Sequence, residues 1–271
     1  MSMIPAISIL PPVSTTSTRI REIEYPSGDG RPVAETPVHR DNLLFTIETL
    51  ERWFAGDPLV YVSGNMLMYY VPGNKRRHVA PDVFVTRGIA KEKPRKSYFV
   101  WEDGHGPDLV IEFTSRSTRK EDTRTKFVLY RDTLRVSEYF MFDPYGHYLQ
   151  PPLQGHRLQA GEYVPIRMRS GRLPSNVLGL ELEANGLELR LYDSATGGWL
   201  LTSPEASAEA FERYAQALAS SASPDAERAH DEARRARSVA ERRKLMLQLE
   251  WAQVENERLR RELDQLRRRK S

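Results

Sequence analysis

A mixed α/β fold is predicted for this chain: an α/β (α+β) core with a mixed central sheet, an antiparallel β extension and a long C-terminal α-helical coiled coil. Three observations predict it. Short apolar β runs alternate with helical spacing over residues 41–142, turn signals then break residues 148–201 into brief strands, and beyond Pro204 leucines recur with heptad spacing. The corresponding division is a disordered arm over 1–37, a core domain with its β extension over 38–203, and a helical coiled-coil tail over 204–271.

The arm is rich in Pro, Ser and Thr and lacks periodicity, the composition of a segment with too little apolar surface to order itself. Residues 41–54 place Leu44, Ile47, Leu50 and Phe54 at 3.6-residue spacing and end at Gly56-Asp57-Pro58, so they read as a helix packed on a sheet. Two β runs at 60–62 and 66–71 flank Ser63-Gly64-Asn65, a hairpin-like signal, and 79–86 form a third strand with Asp82 near its start. The loop 88–105 interleaves Lys91, Lys93, Arg95 and Lys96 with Tyr98, Phe99 and Trp101. That pattern suits contact with a nucleic-acid backbone and bases, or a solvated loop whose aromatics tuck against the core.

Residues 109–111 are a continuous apolar run, the pattern of a strand covered on both faces, and Glu112 follows directly. A helix begins near Arg119, where Thr118 and Glu121 have capping-box spacing, and Phe127, Tyr130 and Leu134 define its inward stripe. Residues 137–142 are a further strand ending at Asp143-Pro144. Runs at 163–166, 180–183 and 187–192, separated by Gly161, Asn185-Gly186 and other turn signals, form an antiparallel extension of the core rather than a third layer. In the tail, Leu245, Leu249, Ala252, Asn256, Leu259, Leu263 and Leu266 alternate spacings of four and three. Asn256 occupies an a position, a device that sets register and favours two strands, so a homodimer through this seam is expected, the alternatives being a lone charged helix in solvent and docking of the row on the body.

Composition narrows the function. Cysteine is absent, which excludes disulfides and cysteine-based zinc sites. Met1 begins a short apolar run without a basic region before it, and no stretch approaches the ~20 apolar residues that span a bilayer, so a soluble, cytoplasmic protein is expected. Of the 40 Lys+Arg and 37 Asp+Glu, 14 and 10 lie from Asp225 onward, which leaves 26 against 27 in the first 224 residues. The net positive charge of +3 is therefore a property of the tail, and composition gives the body no basic patch. There is no Gly-rich phosphate loop, nucleophile elbow or metal-histidine motif.

Asp82, Glu112 and Lys126 make the chemical constellation. A carboxylate directly after a buried strand is costly without a partner or a metal, and Lys126 sits at the edge of an apolar helical stripe where it can face Glu112. Two carboxylates at the ends of adjacent strands can share Mg²⁺, which prefers oxygen ligands and retains water. Each residue also has a plain reading: Asp82 as a turn acid, Glu112 and Lys126 as a structural ion pair, and Asp122 with Lys126 as an i,i+4 pair worth ~0.3–0.5 kcal/mol. Asp108 also follows a proline, but it lies four residues from Glu112 on one strand, ~13 Å away at ~3.3 Å per residue, and cannot share an ion with it. His78, His105 and His147 lack ligand spacing and read as loop residues.

The pieces VAPDVFVTRG (79–88), PDLVIEFTSRSTRKEDTRTKFVLYRD (107–132), SEYFMFDPYGHYLQPPLQGHRL (137–158) and VLGLELEANGLELRLYDSATGGWL (177–200) occur in an order that resembles the bacterial Uma-type restriction endonuclease family, within the PD-(D/E)XK nuclease superfamily. The resemblance covers roughly residues 41–201. It implies a restriction-endonuclease-like core, with Asp82 and Glu112 as the metal-holding acids, Lys126 as the third catalytic group, Mg²⁺ as cofactor and DNA as substrate. Thr114 stands where the superfamily's E-x-K pattern has lysine, and Arg116 where the family has proline. A metal-dependent endonuclease is the leading functional expectation; the alternatives are a non-catalytic nucleic-acid-binding or coiled-coil scaffold protein that keeps the fold, and an enzyme of another class on an α/β scaffold, against which the missing phosphate-loop, nucleophile-elbow and metal-histidine motifs count.

Overall fold

The computed structural model describes residues 25–27, 36–115, 118–220 and 225–270. Most of the expected arm, and Arg116, lie outside the described residues. Two residues of the arm are anchored: the Tyr25 ring packs edge-on against Tyr69 and Phe99, and the Tyr69 hydroxyl donates to the Pro26 carbonyl at 2.7 Å.

Helix α1, Pro37–Trp53, starts four residues before the expected 41 because Thr36 caps it, its Oγ1 accepting from the His39 amide at 3.1 Å, and Pro37 pre-sets the first turn. Leu43 and Leu50 turn inward while Leu44 is 42% exposed, so the buried face is rotated from the expected stripe. The strands that follow are β1 (Val60–Ser63), β2 (Met68–Tyr69), β3 (His78–Val79), β4 (Val83–Arg87) and β5 (Tyr98–Phe99), then the short helix α2 (Val100–Asp103) and β6 (Leu109–Phe113). A site helix runs through Glu121–Lys126 and Leu129–Thr133, both wound with π spacing, into β7 (Glu138–Phe142). Then come β8 (Leu153–Gln159), β9 (Glu162–Pro165), β10 (Arg172–Ser175), β11 (Leu180–Asn185), β12 (Glu188–Asp193) and β13 (Gly198–Trp199), and the helices α3 (Ser203–Ser220) and α4 (Ala226–Lys270).

The central sheet has the order β1-β4-β6-β7-β8-β9, and within it only β6 and β7 pair in parallel. Every residue of β6 and β7 is buried, so both faces of the middle of the sheet are covered. On one face Val83, Val85, Ile111, Phe113 and Phe140 join Leu43 and Leu50 of α1 and Leu182 and Leu191 of β11 and β12. On the other, Phe84, Val110, Tyr139 and Met141 pack with Tyr130 of the site helix and with Met68 and Tyr98. The period-2 alternation of β6 thus sends Glu112 to the face of Val110, beneath the site helix.

Three expectations are corrected. The turn Ser63-Gly64-Asn65 does not join a hairpin: β1 pairs with β4, whereas β2 joins β3 and β5 in a small separate sheet. The third run splits at Pro81-Asp82 into β3 and β4 for the same reason. Only β8 and β9 extend the core sheet; β10–β13 form their own antiparallel sheet, sealed by leucines onto the α1 face. The loop 88–105 takes its plain form, with Tyr98 fully buried and Arg95 paired to Asp103 at 2.9 Å.

Helices α3 and α4 pack through Ala215, Ala229 and Ala233 with Leu218 beside them. Further along, α4 rests on the body: Arg243 pairs with Glu188 and Asp41, and the Trp251 ring lies against Gly186. These contacts use a different face from the leucine row, for Leu249, Leu259 and Leu263 are 64%, 47% and 54% exposed. Among the described residues, no helix is long and apolar enough to cross a membrane.

Gly64 shows what the turn signal is for. A Cβ there would stand 2.0 Å from the Asp82 carbonyl oxygen, and the Asn65 amide donates to the Pro81 carbonyl at 2.7 Å, so this turn is pressed onto the chain at Pro81-Asp82. Gly64→Ala is expected to cost about 1–3 kcal/mol through that overlap. Thermal melting checks it, and an unshifted Tm would mean that the turn yields freely.

Candidate active site

Glu112 is fully buried at the end of β6, and the site helix supplies what an acid in that position requires. The Lys126 ammonium donates to Glu112 Oε2 at 2.8 Å and the Tyr130 hydroxyl to Oε1 at 2.6 Å. A second carboxylate, Asp122 Oδ1, lies 3.1 Å from the same ammonium. Asp122, Lys126 and Tyr130 are the three buried residues of the π-wound segments, so four-residue spacing lines a polar stripe over Glu112. The Tyr139 hydroxyl of β7 donates to the Asp122 carbonyl at 3.0 Å and pins the helix to the sheet. The helix begins near Arg119, but Thr118 does not complete the expected box with Glu121: its Oγ1 accepts from the Ser115 amide at 3.0 Å.

Asp82 reaches the same place from the neighbouring strand. Val83 pairs with Ile111 in the antiparallel β4–β6 ladder, so the next step of the register sets Asp82 opposite Glu112 on the same side of the sheet. The Phe113 amide donates to Asp82 Oδ2 at 2.8 Å, and His39 Nε2 of α1 stands 3.4 Å from Oδ1. Asp82 keeps 16% of its side chain exposed, against 1% for Glu112.

The charges sort themselves accordingly. Burial pushes the Glu112 carboxyl well above its ordinary value even with Lys126 beside it. Burial would raise Asp82 too, but the His39 contact, the Lys126 charge and the Phe113 amide together hold it below the ordinary aspartate value. Burial works against the Lys126 ammonium, yet the carboxylates of Glu112, Asp122 and Asp82 outweigh it and keep the proton on the lysine. Tyr130 is raised well above the ordinary phenol by burial and by Glu112, so its hydroxyl remains a donor. Two acids pushed apart in this way suit different roles.

The donor set fits a hard divalent cation. It consists of carboxylate oxygens, with no thiolate; Asp82 keeps 16% of its side chain exposed, and Thr114 Oγ1, two residues beyond Glu112, is a buried hydroxyl with no hydrogen-bond partner among the described residues. Among those residues no cluster of three or more metal-ligating side chains occurs, so two carboxylates with water and substrate oxygens are the available ligands.

All three predicted site residues come together. Asp108 does not: it lies at the far end of β6, where its Oδ2 accepts from the Arg87 amide at 2.7 Å. Sequence reasoning missed His39, and read Asp122 only as an i,i+4 partner and Tyr130 only as packing. For His39 the chain offered no signal, because its distance to Asp82 is set by how α1 crosses the sheet. For Asp122 and Tyr130 the four-residue spacing around Lys126 was a usable one. Beside the acids lies a cavity of about 260 Å³, lined by His39, Phe113, Thr114, Tyr145, His147 and Tyr148 among others.

A mixed sheet that brings two acids to adjacent strand ends, under a helix carrying a lysine, is the arrangement the resemblance implies for restriction-endonuclease-like nucleases. The sequence profile of the family described as "Uma2: Putative restriction endonuclease" matches residues 13–191. The chain belongs to the Uma2 family. Among solved structures it is similar to a "putative nuclease belonging to DUF820" from Anabaena variabilis, at 13% identity and a TM-score of 0.40, over 56% of this chain and 81% of that one. No curated protein matches the sequence.

Lys126→Ala strands Glu112 and Asp122 together in the core, at about 3–5 kcal/mol, or a Tm lower by roughly 6–20 °C. Tyr130→Phe, which leaves one Glu112 oxygen without its donor, should cost a smaller ~1–3 kcal/mol. Calorimetry of the two variants checks the order. A Lys126→Ala melt at the wild-type temperature would show that the ammonium is not the counter-charge of this site.

Proposed function

We propose that the protein is a Mg²⁺-dependent endodeoxyribonuclease that hydrolyses DNA phosphodiester bonds, working in the cytoplasm as a homodimer. The observation that carries the reading is the register placing Asp82 opposite Glu112, with the Lys126 ammonium 2.8 Å from the second acid. Asp82 and Glu112 would hold the cation, which when bound supplies positive charge against the phosphodiester and acidifies the attacking water. Asp82, held ionised by His39 and Lys126, keeps a negative oxygen ready at the exposed edge of the site. Lys126 carries a fixed proton at Nζ and stabilises charge that develops on the phosphate oxygens. Tyr130 holds the Glu112 carboxyl in one orientation, so that its remaining lone pairs face one direction.

A second reading has its own observation. Both Glu112 oxygens are already engaged, by Lys126 and Tyr130, in a group that is fully buried. That closure suits a nucleic-acid-binding or scaffold protein in which the triad is a structural ion cluster. The two readings part in one experiment: cleavage of plasmid and single-stranded DNA with and without Mg²⁺, by wild type, Asp82→Asn and Glu112→Gln. Glu112→Gln is chosen because its amide oxygen can still accept from Lys126. The nuclease reading expects Mg²⁺-dependent cutting that both variants lower at least 100-fold. Metal-independent cutting, or cutting equal in the variants, would return the triad to a structural role.

The tail supports the dimer. Its leucine row is exposed on α4 while another face of that helix holds the body, and pairing two such rows would bury apolar surface worth ~25 cal/mol per Å². Asn256 stands on the same row, where partner asparagines can meet only in register. On this division the arm, the core with its β extension and the tail meet near residues 37 and 203. Sedimentation is expected to give a dimer for the full chain and a monomer for Leu259→Lys/Leu263→Lys, with equal melting temperatures. A monomeric wild type at micromolar concentration would sink the coiled-coil dimer.

A further inference from the structure

We infer that the cavity beside the acidic pair is a nucleobase pocket, so that the strand presented to Asp82 and Glu112 carries an unpaired base. This inference rests on the nuclease reading for where the phosphate lies and adds the class of substrate. The cavity is joined to the site through two elements. His39 both lines it and stands 3.4 Å from Asp82, and Phe113 and Thr114 follow Glu112 directly in the chain. A nucleotide whose phosphate sits at the acids therefore has its base within reach of the cavity.

The lining has the chemistry of a base site. Tyr145 and His147 stack with ring centroids 5.7 Å apart at 21°, and Tyr148 meets His147 edge-on, giving a wall of π surface. Bases stack on such rings irrespective of sequence. The wall is fixed from behind: Asp143, fully buried, accepts from the Tyr148 and Leu149 amides, and the Tyr145 hydroxyl donates to Glu250 of α4 at 2.8 Å. The polar handle is Thr114, only 4% exposed, whose Oγ1 lines the cavity with no hydrogen-bond partner among the described residues and so is open to a hydrogen bond with the edge of a ligand. At the rim, the Arg119 guanidinium lies 6.0 Å from the Tyr148 ring centre, placed to meet a phosphate beside a stacked base. An intact duplex keeps its bases paired and stacked, so the pocket selects single-stranded DNA or a base turned out of the helix.

The test measures binding apart from cleavage. Anisotropy is read with EDTA present on a fluorescent single-stranded DNA oligonucleotide, on the same strand with one abasic position, and on the matching duplex with and without one mismatch. The wild type is expected to bind the intact single strand more tightly than the abasic strand or the perfect duplex. Preference for the mismatched duplex over the perfect one identifies a turned-out base; its absence identifies a single strand. Tyr148→Ala should weaken single-strand binding about 5- to 150-fold, the loss of one base stack, and Tyr148→Phe should restore it. Thr114→Val should weaken it roughly 2- to 10-fold through loss of one hydrogen bond. Should Tyr148→Ala fail to fold, the abasic comparison on wild type and the Thr114→Val variant decide alone. Equal affinity for intact and abasic strands, or no single-strand binding, overturns the pocket even if Mg²⁺-dependent cleavage is present. Base-dependent binding without cleavage keeps the pocket and overturns the nuclease.

Discussion

The buried ammonium of Lys126 is the constraint on which the centre of this protein depends. It faces Glu112 and Asp122 inside the sheet–helix interface, and none of the three ions has a low-energy state there alone. Satisfying them requires the site helix to sit at one height over β6 and to project Asp122, Lys126 and Tyr130 to one side. The π winding is the local form of that demand, and windings of this kind recur at functional sites. A helix optimised only for packing would place apolar residues at those positions and seal the end of the sheet.

The same demand explains the layout around it. Because β6 is covered on both faces, the side of the acid left for other groups among the described residues is the strand end, where β4 begins, α1 starts and the loop after β7 folds over. Each contributes one group there: Asp82 from the start of β4, His39 from the first turn of α1, and the aromatic wall from the loop pinned by Asp143. The turn at Gly64 presses on Asp82 from outside. The second sheet, β10–β13, packs its leucines in one cluster with Leu43 and Leu50 of α1, and so bears on the position of His39 through that helix.

The tail is tied into this arrangement rather than appended to it. Arg243 bridges Asp41 of α1 and Glu188 of β12, and Glu250, about two turns beyond, holds Tyr145 at the cavity. An event that moves α4 therefore bears on two elements that border the acids. Its leucine row points away from these contacts, which leaves one helix able to serve the body on one face and a partner on another.

What the sequence determined by itself was the class of fold and the acidic pair. The apolar run ending in Glu112 had to be a covered strand, because a continuous run of that length has no polar face to show water, and an acid at its end needed a partner. The lysine at the edge of the helical stripe could be assigned to that acid, because helical spacing fixes which residues share a face. Tertiary structure decided what periodicity does not encode. Which strands pair across the small sheets, which face of α1 is inward, and that His39 meets Asp82 depend on how elements cross, and crossing is set by the packing of leucines far apart in the chain. The hairpin at Gly64 was misread because a turn signal specifies local backbone freedom, and here that freedom serves a close approach to Asp82 instead of a strand reversal. The seam of the tail was legible as spacing, whereas its exposure beside a docked face required the three-dimensional position of Arg243, Glu250 and Trp251.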